Sequence, residues 1–330
     1  MSGRTRLDAL LDMGLDGLVI ATPSAFHAEQ SIRALERGLA VFCQKPLGRS
    51  AEETKRVVDA ARAADRLLGV DLSYRYTTGM RQLRERIHGG ALGDIYAVNL
   101  VFHNAYGPDK AWFYDAKLAG GGCVMDLGIH LVDLTLWVLG FPDVRRVSSQ
   151  LLTQGRPLTR RGEAVEDFAA AQLELANGTA VQLACSWKLP AGCDAVIEAS
   201  FYGTRGGAAF RNVNGSFYDF TADLFWGTSR ERSPSRRTLG GRAAVDWATR
   251  LAHGARFDPE SERLVQVRRR ARPHRTAEPA PGSRRLPALQ RAGGVFPGAR
   301  VGAGREEGPR AFRSRPCSPL PSLVARCGVR

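Results

Sequence analysis

Leu7, Leu10 and Leu11 recur at helical spacing over residues 4–13, and Gly14 and Gly17 bracket a turn before the unbroken apolar run Leu18-Val19-Ile20-Ala21. This pattern predicts a helix and then a buried strand. Thr22-Pro23-Ser24 supplies a turn and cap, Ala28 to Arg37 a helix stopped at Gly38, and Leu39 to Cys43 the next strand. Ser50-Ala51-Glu52-Glu53 has the spacing of a capping box, opening a helix to about Asp65, and Leu67 to Asp71 forms a third strand. Strands alternating with helices of about 10–15 residues fold as a parallel sheet with right-handed crossovers.

From Gly93 the strands become longer and alternate in polarity: Ile95 to His103, Val144 to Leu152, Asp167 to Leu175, Thr179 to Leu189, Asp194 to Tyr202 and Ala208 to Arg211. Asn177-Gly178 between two of them is a strong hairpin signal. Such strands predict an open antiparallel sheet with one solvated face, in an α+β domain. One strong helix, Gly121 to Leu139, interrupts them, and a weaker one covers Arg242 to His253. The division is therefore an α/β domain over 1–75, an α+β domain over 76–267 and a segment over 268–330 without periodicity.

Composition matters mainly through that last segment. The chain of 330 residues carries a formal charge of +14, but residues 268–330 hold 15 Arg, no Lys and 3 Glu, so the first 267 residues are near neutral. A basic footprint for nucleic acid belongs on a folded face, and here it lies in the tail. The tail also contains 9 of the 17 prolines and reads as disordered. Its Arg/Ala/Pro/Gly vocabulary, starting abruptly inside SERLVQV, equally suits a shifted reading frame of GC-rich DNA. The six Cys show no paired spacing and no CxxC, so reduced thiols in a cytoplasmic protein are expected. The N-terminus lacks an apolar signal region, and no apolar run reaches the roughly 20 residues of a membrane span.

Three stretches can carry chemistry. Lys45, in Val41-Phe42-Cys43-Gln44-Lys45-Pro46, follows a strand end, where open parallel sheets border their ligand crevice. It is either a solvated loop lysine or an acid/base group that also holds a substrate hydroxyl. In Gly120-Gly121-Gly122 and the following helix, Asp126 and His130 are i,i+4 neighbours, the spacing at which a carboxylate can orient an imidazole. A satisfied surface pair is the plain alternative. Thr22, Pro23 and His27, at another strand end, either touch a cofactor or cap a helix. No metal-ligand, Walker-type or GxSxG pattern appears.

Together, "VIATPSAFH", "CQKPLG" and "GGGCVMDLGIHLVDL", with "LSYRY", "GALGDIYAV" and "WFYD", resemble the Gfo/Idh/MocA family of NAD(P)-dependent oxidoreductases over residues 7–267. The resemblance implies a Rossmann domain followed by an α+β domain whose open sheet forms a homo-oligomer. It also implies NAD or NADP as cofactor and a sugar, inositol or related polyol as substrate; the charge and apolar patterns above lead us to expect neither nucleic acid nor membrane as partner. Lys45 matches the lysine of the family's Glu-Lys-Pro motif. Asp126 and His130 match a second motif in which His takes the hydroxyl proton. Thr22, Pro23, His27, Gln44, Lys45 and Pro46 fall where the family lines its cofactor cleft.

Three departures accompany the resemblance. Only 17 residues precede Leu18 and none forms the G-x-G-x-x-G turn, so an incomplete Rossmann domain, lacking its pyrophosphate cradle and exposing an apolar sheet edge, is expected. Gln44 stands where the family has Glu, keeping the shape and losing the charge. The helix and strand that return to the Rossmann domain are expected to be replaced by the Arg-rich tail. A polyol dehydrogenase is the reading favoured. An impaired polyol-binding remnant, and an NAD-dependent glycoside-cleaving enzyme of the same family, stay open beside it.

Overall fold

The computed structural model describes residues 6–160, 162–236 and 242–258. Helix α1 (Arg6–Leu11) leads into β1 (Gly17–Ile20), followed by α2 (Ser24–Glu36), β2 (Ala40–Cys43), α3 (Ala51–Ala64) and β3 (Leu68–Val70). The strands are parallel in the order β1-β2-β3, with Leu18 opposite Val41 and Val41 opposite Leu68. One face of this sheet buries Leu18, Ile20, Val41 and Cys43 against Leu35 of α2 and Val57, Val58 and Ala61 of α3. Each such aliphatic side chain contributes about 1.5–3 kcal/mol of burial. The Ser50 hydroxyl caps α3, accepting from the Glu53 amide, while the Glu53 carboxylate reaches the backbone N–H of Arg49 at 2.7 Å.

A 3-10 turn at Ser73–Tyr76 leads to α4 (Thr78–His88) and the long central strand β4 (Ile95–Asn104). The helical layer comprises α5 (Ala116–Ala119), a π-helical turn at Val124–Gly128 and α6 (Ile129–Val138). Strands β5 (Val144–Thr153), β6 (Arg156–Pro157), β7 (Phe168–Leu175), β8 (Ala180–Ser186), β9 (Ala195–Gly203), β10 (Gly207–Asn212), β11 (Asp219–Trp226) and β12 (Ser229–Arg236) precede α7 (Arg242–Ala252). The nine-stranded order is β12-β11-β10-β9-β4-β8-β7-β5-β6. Leu131, Leu134 and Val138 of α6 pack with Leu100 and Phe102 of β4 and Ile197, Ala199 and Phe201 of β9. Ala116–Val138 is 23 residues long and apolar enough to cross a membrane by composition, yet more than half buried in the protein. It is a core element of this domain.

Four features differ from the pattern reading. The sheet is not wholly antiparallel: β4 and β8 run parallel, because the helical layer crosses over the sheet after β4 and two hairpin turns then bring β8 alongside it. Helix α4 and strands β11 and β12 were not anticipated. Edge strand β12 (SRERSPSR) is charged and contains Pro234, which lets it read as loop although such residues are how edges are protected. Finally, a helix does return to the parallel sheet. Trp247 of α7 lies against Phe42 with ring centroids 5.8 Å apart, and Ala40 and Leu67 share that cluster. Gly69 makes room for it, since a Cβ there would fall 2.8 Å from the indole. With helices on both faces, the strands need continuous apolar runs. The expectations of a disordered or frame-shifted segment over 268–330 lie outside the described residues.

Candidate active site

Two distant segments meet at Lys45. Its Nζ, at the end of β2, donates to Oδ1 and to the backbone oxygen of Asp126, both at 2.6 Å. Both side chains are mostly buried, at 15% and 16% exposure. The solvated-loop reading of Lys45 therefore fails. Burial removes competing water and strengthens the pairing relative to a surface pair. The Lys45–Pro46 peptide is cis.

Asp126 lies in the π turn, and its second carboxylate oxygen, Oδ2, accepts from Trp187 Nε1 at 3.0 Å. Both oxygens are thus engaged by Lys45 and Trp187, and not by His130 as i,i+4 spacing suggests. The half-buried His130 lies at the start of α6, four residues on, its ring edge-on to Tyr74 at 5.2 Å. The start of this helical run is anchored by Glu166, which is buried. Its Oε1 accepts from the backbone N–H groups of Gly122 and Val124 at 2.9 and 3.0 Å. The N–H groups at a helix start, which have no intrahelical acceptor, are favoured partners for a carboxylate. One turn beyond His130, both carboxylate oxygens of buried Asp133 accept from Arg75, through its Nε and Nη2, and Arg75 stacks on Phe141. Burial pushes the Asp133 carboxyl above the usual carboxylate range, with Arg75 opposing.

On the other wall, the ends of the three parallel strands stand side by side. Thr22 and Pro23 follow β1, and Thr22 Oγ1 donates to Gln30 Oε1 at 2.8 Å. His27 is 1% exposed; its Nδ1 lies 2.7 Å from Pro46 O and its Nε2 2.6 Å from Thr22 O, so it braces the two turns together. Gln44 donates through Nε2 to Asp71 Oδ2 at 2.9 Å, at the end of β3. A carboxylate, that of Asp71, thus stands beside the uncharged Gln44. Asp71 Oδ1 is buried and has no hydrogen-bond partner among the described residues. Sequence reasoning did not find Trp187, Glu166, Arg75 or Asp71; none has a spacing signal relative to Lys45 or Asp126.

Comparison with known proteins fits this arrangement. Residues 4–72 match the model of an oxidoreductase family with an NAD-binding Rossmann fold, and residues 80–209 match the GFO/IDH/MocA C-terminal domain. D-glucoside 3-dehydrogenase of Escherichia coli is 32% identical over 240 residues, covering 70% of this chain and 68% of that enzyme. Levoglucosan dehydrogenase of Pseudarthrobacter phenanthrenivorans is 29% identical over 212 residues, 58% of this chain and 54% of its own length. Among solved structures, GenD2 from gentamicin A biosynthesis, in complex with NAD, superposes with a TM-score of 0.65 at 25% identity, over 80% of this chain and 76% of that one. Both matched models fall on the two halves that Lys45 and Asp126 join, and with these relatives they establish that the chain belongs to the Gfo/Idh/MocA family of NAD(P)-dependent oxidoreductases.

Proposed function

We propose that this protein passes hydride between a nicotinamide dinucleotide and a hydroxyl of a sugar or related polyol. The observation that carries the reading is the contact of Lys45, from a Rossmann strand end, with Asp126, one turn before His130. The residues present suit the nicotinamide end of the cofactor: Thr22, Pro23, Gln44, Lys45 and Pro46 lie at adjacent strand ends, beside the unsatisfied acceptor Asp71 Oδ1. When bound, the cofactor supplies the hydride acceptor.

The chain's own residues handle the proton and the orientation. An ammonium has three N–H donors, and two of those on Lys45 are committed to Asp126. The third is left for the substrate oxygen, and His130 takes the proton as the hydroxyl is oxidised. The dehydrogenases named above act on D-glucosides and levoglucosan, which supports a cyclic polyol.

The test is a titration of the full chain with NADH and NADPH, followed by turnover of a glucoside, levoglucosan and inositol panel. Saturable binding with oxidation of at least one polyol supports the reading, and no saturation up to millimolar cofactor refutes it. His130→Ala is expected to abolish turnover and spare cofactor binding; retained turnover removes His130 from this role.

A further inference from the structure

We propose that Trp187 is a positioning residue for this reaction, acting through Asp126; the inference rests on the dehydrogenase reading above. A carboxylate can swivel about its terminal bond, whose torsional preference is broad. Asp126 is held against that motion by donors from two different elements, Lys45 after β2 and Trp187 after β8. Among the described residues, Trp187 is the donor to Oδ2.

The indole is well suited to the task. It is a donor only, with one N–H, so it cannot reverse the polarity of the contact. It is also locked. Trp187 is 3% exposed, with Tyr114 edge-on at a centroid distance of 5.4 Å and Phe113 at 6.4 Å. Gly107, at φ +71°, closes the other side: a Cβ there would stand 3.0 Å from the Tyr114 hydroxyl and 3.2 Å from Trp187 Cβ. The ring therefore has one orientation, and Asp126 inherits it. Lys45 follows in turn, because two of its three donors point to Asp126. Turning the carboxylate would redirect the third donor, the one left for substrate.

Removing a charge-assisted hydrogen bond while keeping the aromatic volume isolates this role. Trp187→Phe in the full chain is expected to lower kcat by roughly 10- to 100-fold, with KM within about threefold and NADH affinity unchanged. A second measurement is independent of turnover. In the 15N-labelled protein, which has five tryptophans, the indole N–H resonance missing from Trp187→Phe should shift in Asp126→Asn.

An unmoved resonance overturns the inference, as does a Trp187→Phe enzyme whose kcat stays within twofold of the parent. If the parent oxidises no polyol, the dehydrogenase reading fails and the catalytic role with it, while the indole resonance still decides whether Trp187 fixes Asp126.

Discussion

Gln44→Glu restores the acid that the family carries before its lysine, and here it should harm the protein. The Gln44 amide donates to Asp71 Oδ2 at 2.9 Å. Glutamate removes that donor, worth about 1.5–3 kcal/mol toward a charged acceptor. It also sets a second anion within about 4 Å of the first, a repulsion of about 4 kcal/mol at an effective dielectric constant of ~20. The folded pair avoids most of that by keeping one proton.

The sign of the pH effect follows. In the unfolded chain a glutamate releases its proton near pH ~4.3, so above that pH the folded state binds the extra proton. Stability then falls as pH rises, at up to about 1.4 kcal/mol per pH unit, over roughly three units. Gln44→Glu should lie near the parent at pH 5 and lose about 3–4 kcal/mol by pH 8, or roughly 6–16 °C in Tm for a protein of this size. Thermal unfolding of the parent, Gln44→Glu and Gln44→Glu/Asp71→Asn at both pH values checks this. A gap between Gln44→Glu and the parent that is the same at pH 5 and pH 8 refutes the reasoning, as does a double variant that keeps the gap.

Three further outcomes are expected. Gly122→Ala should lower Tm by more than 10 °C or prevent folding, because its Cβ would overlap the Glu166 carbonyl oxygen in backbone that cannot yield; scanning calorimetry reads this directly. Arg75→Ala leaves the buried Asp133 unpaired and should cost about 3–5 kcal/mol in denaturant unfolding, whereas Arg75→Met with Asp133→Leu should recover most of it. Burial holds the His103 imidazole below its ordinary value of 6.5, so the unfolded chain takes up that proton first as pH falls. The parent should therefore lose stability on acidification from about pH 7 until the folded imidazole also protonates, and His103→Gln should flatten Tm against pH in that window.

How much of this was legible in the sequence depended on whether a feature was local. The three parallel strands and their helices showed themselves because both sheet faces are covered, making Leu18-Val19-Ile20 and Val41-Phe42-Cys43 continuous apolar runs. The β7–β8 hairpin was visible because its turn is written in the adjacent residues Asn177-Gly178, whereas β12, charged along an open edge, was not. Lys45, Asp126 and His130 were found as residue types in order, through a resemblance. Their connection was not, because Lys45 meets Asp126 across 81 positions and Trp187 meets it across 61.

The hydrogen bonds of Asp126 go to Lys45 and Trp187 rather than to its i,i+4 neighbour. Placing Asp126 beside His130 assumes 3.6 residues per turn throughout, and Val124–Gly128 is a π turn with its i→i+5 bond from Ile129 N–H to Val124 O. Such a turn shifts the stripe on which Asp126 lies relative to the one carrying His130. In this turn the Asp126 carboxylate is held by Lys45 and Trp187. Single π turns recur at functional sites, and the physical advantage here is plain. A regular helix would favour Asp126 and His130 as one i,i+4 pair, while in this turn both oxygens of the carboxylate are taken by Lys45 and Trp187.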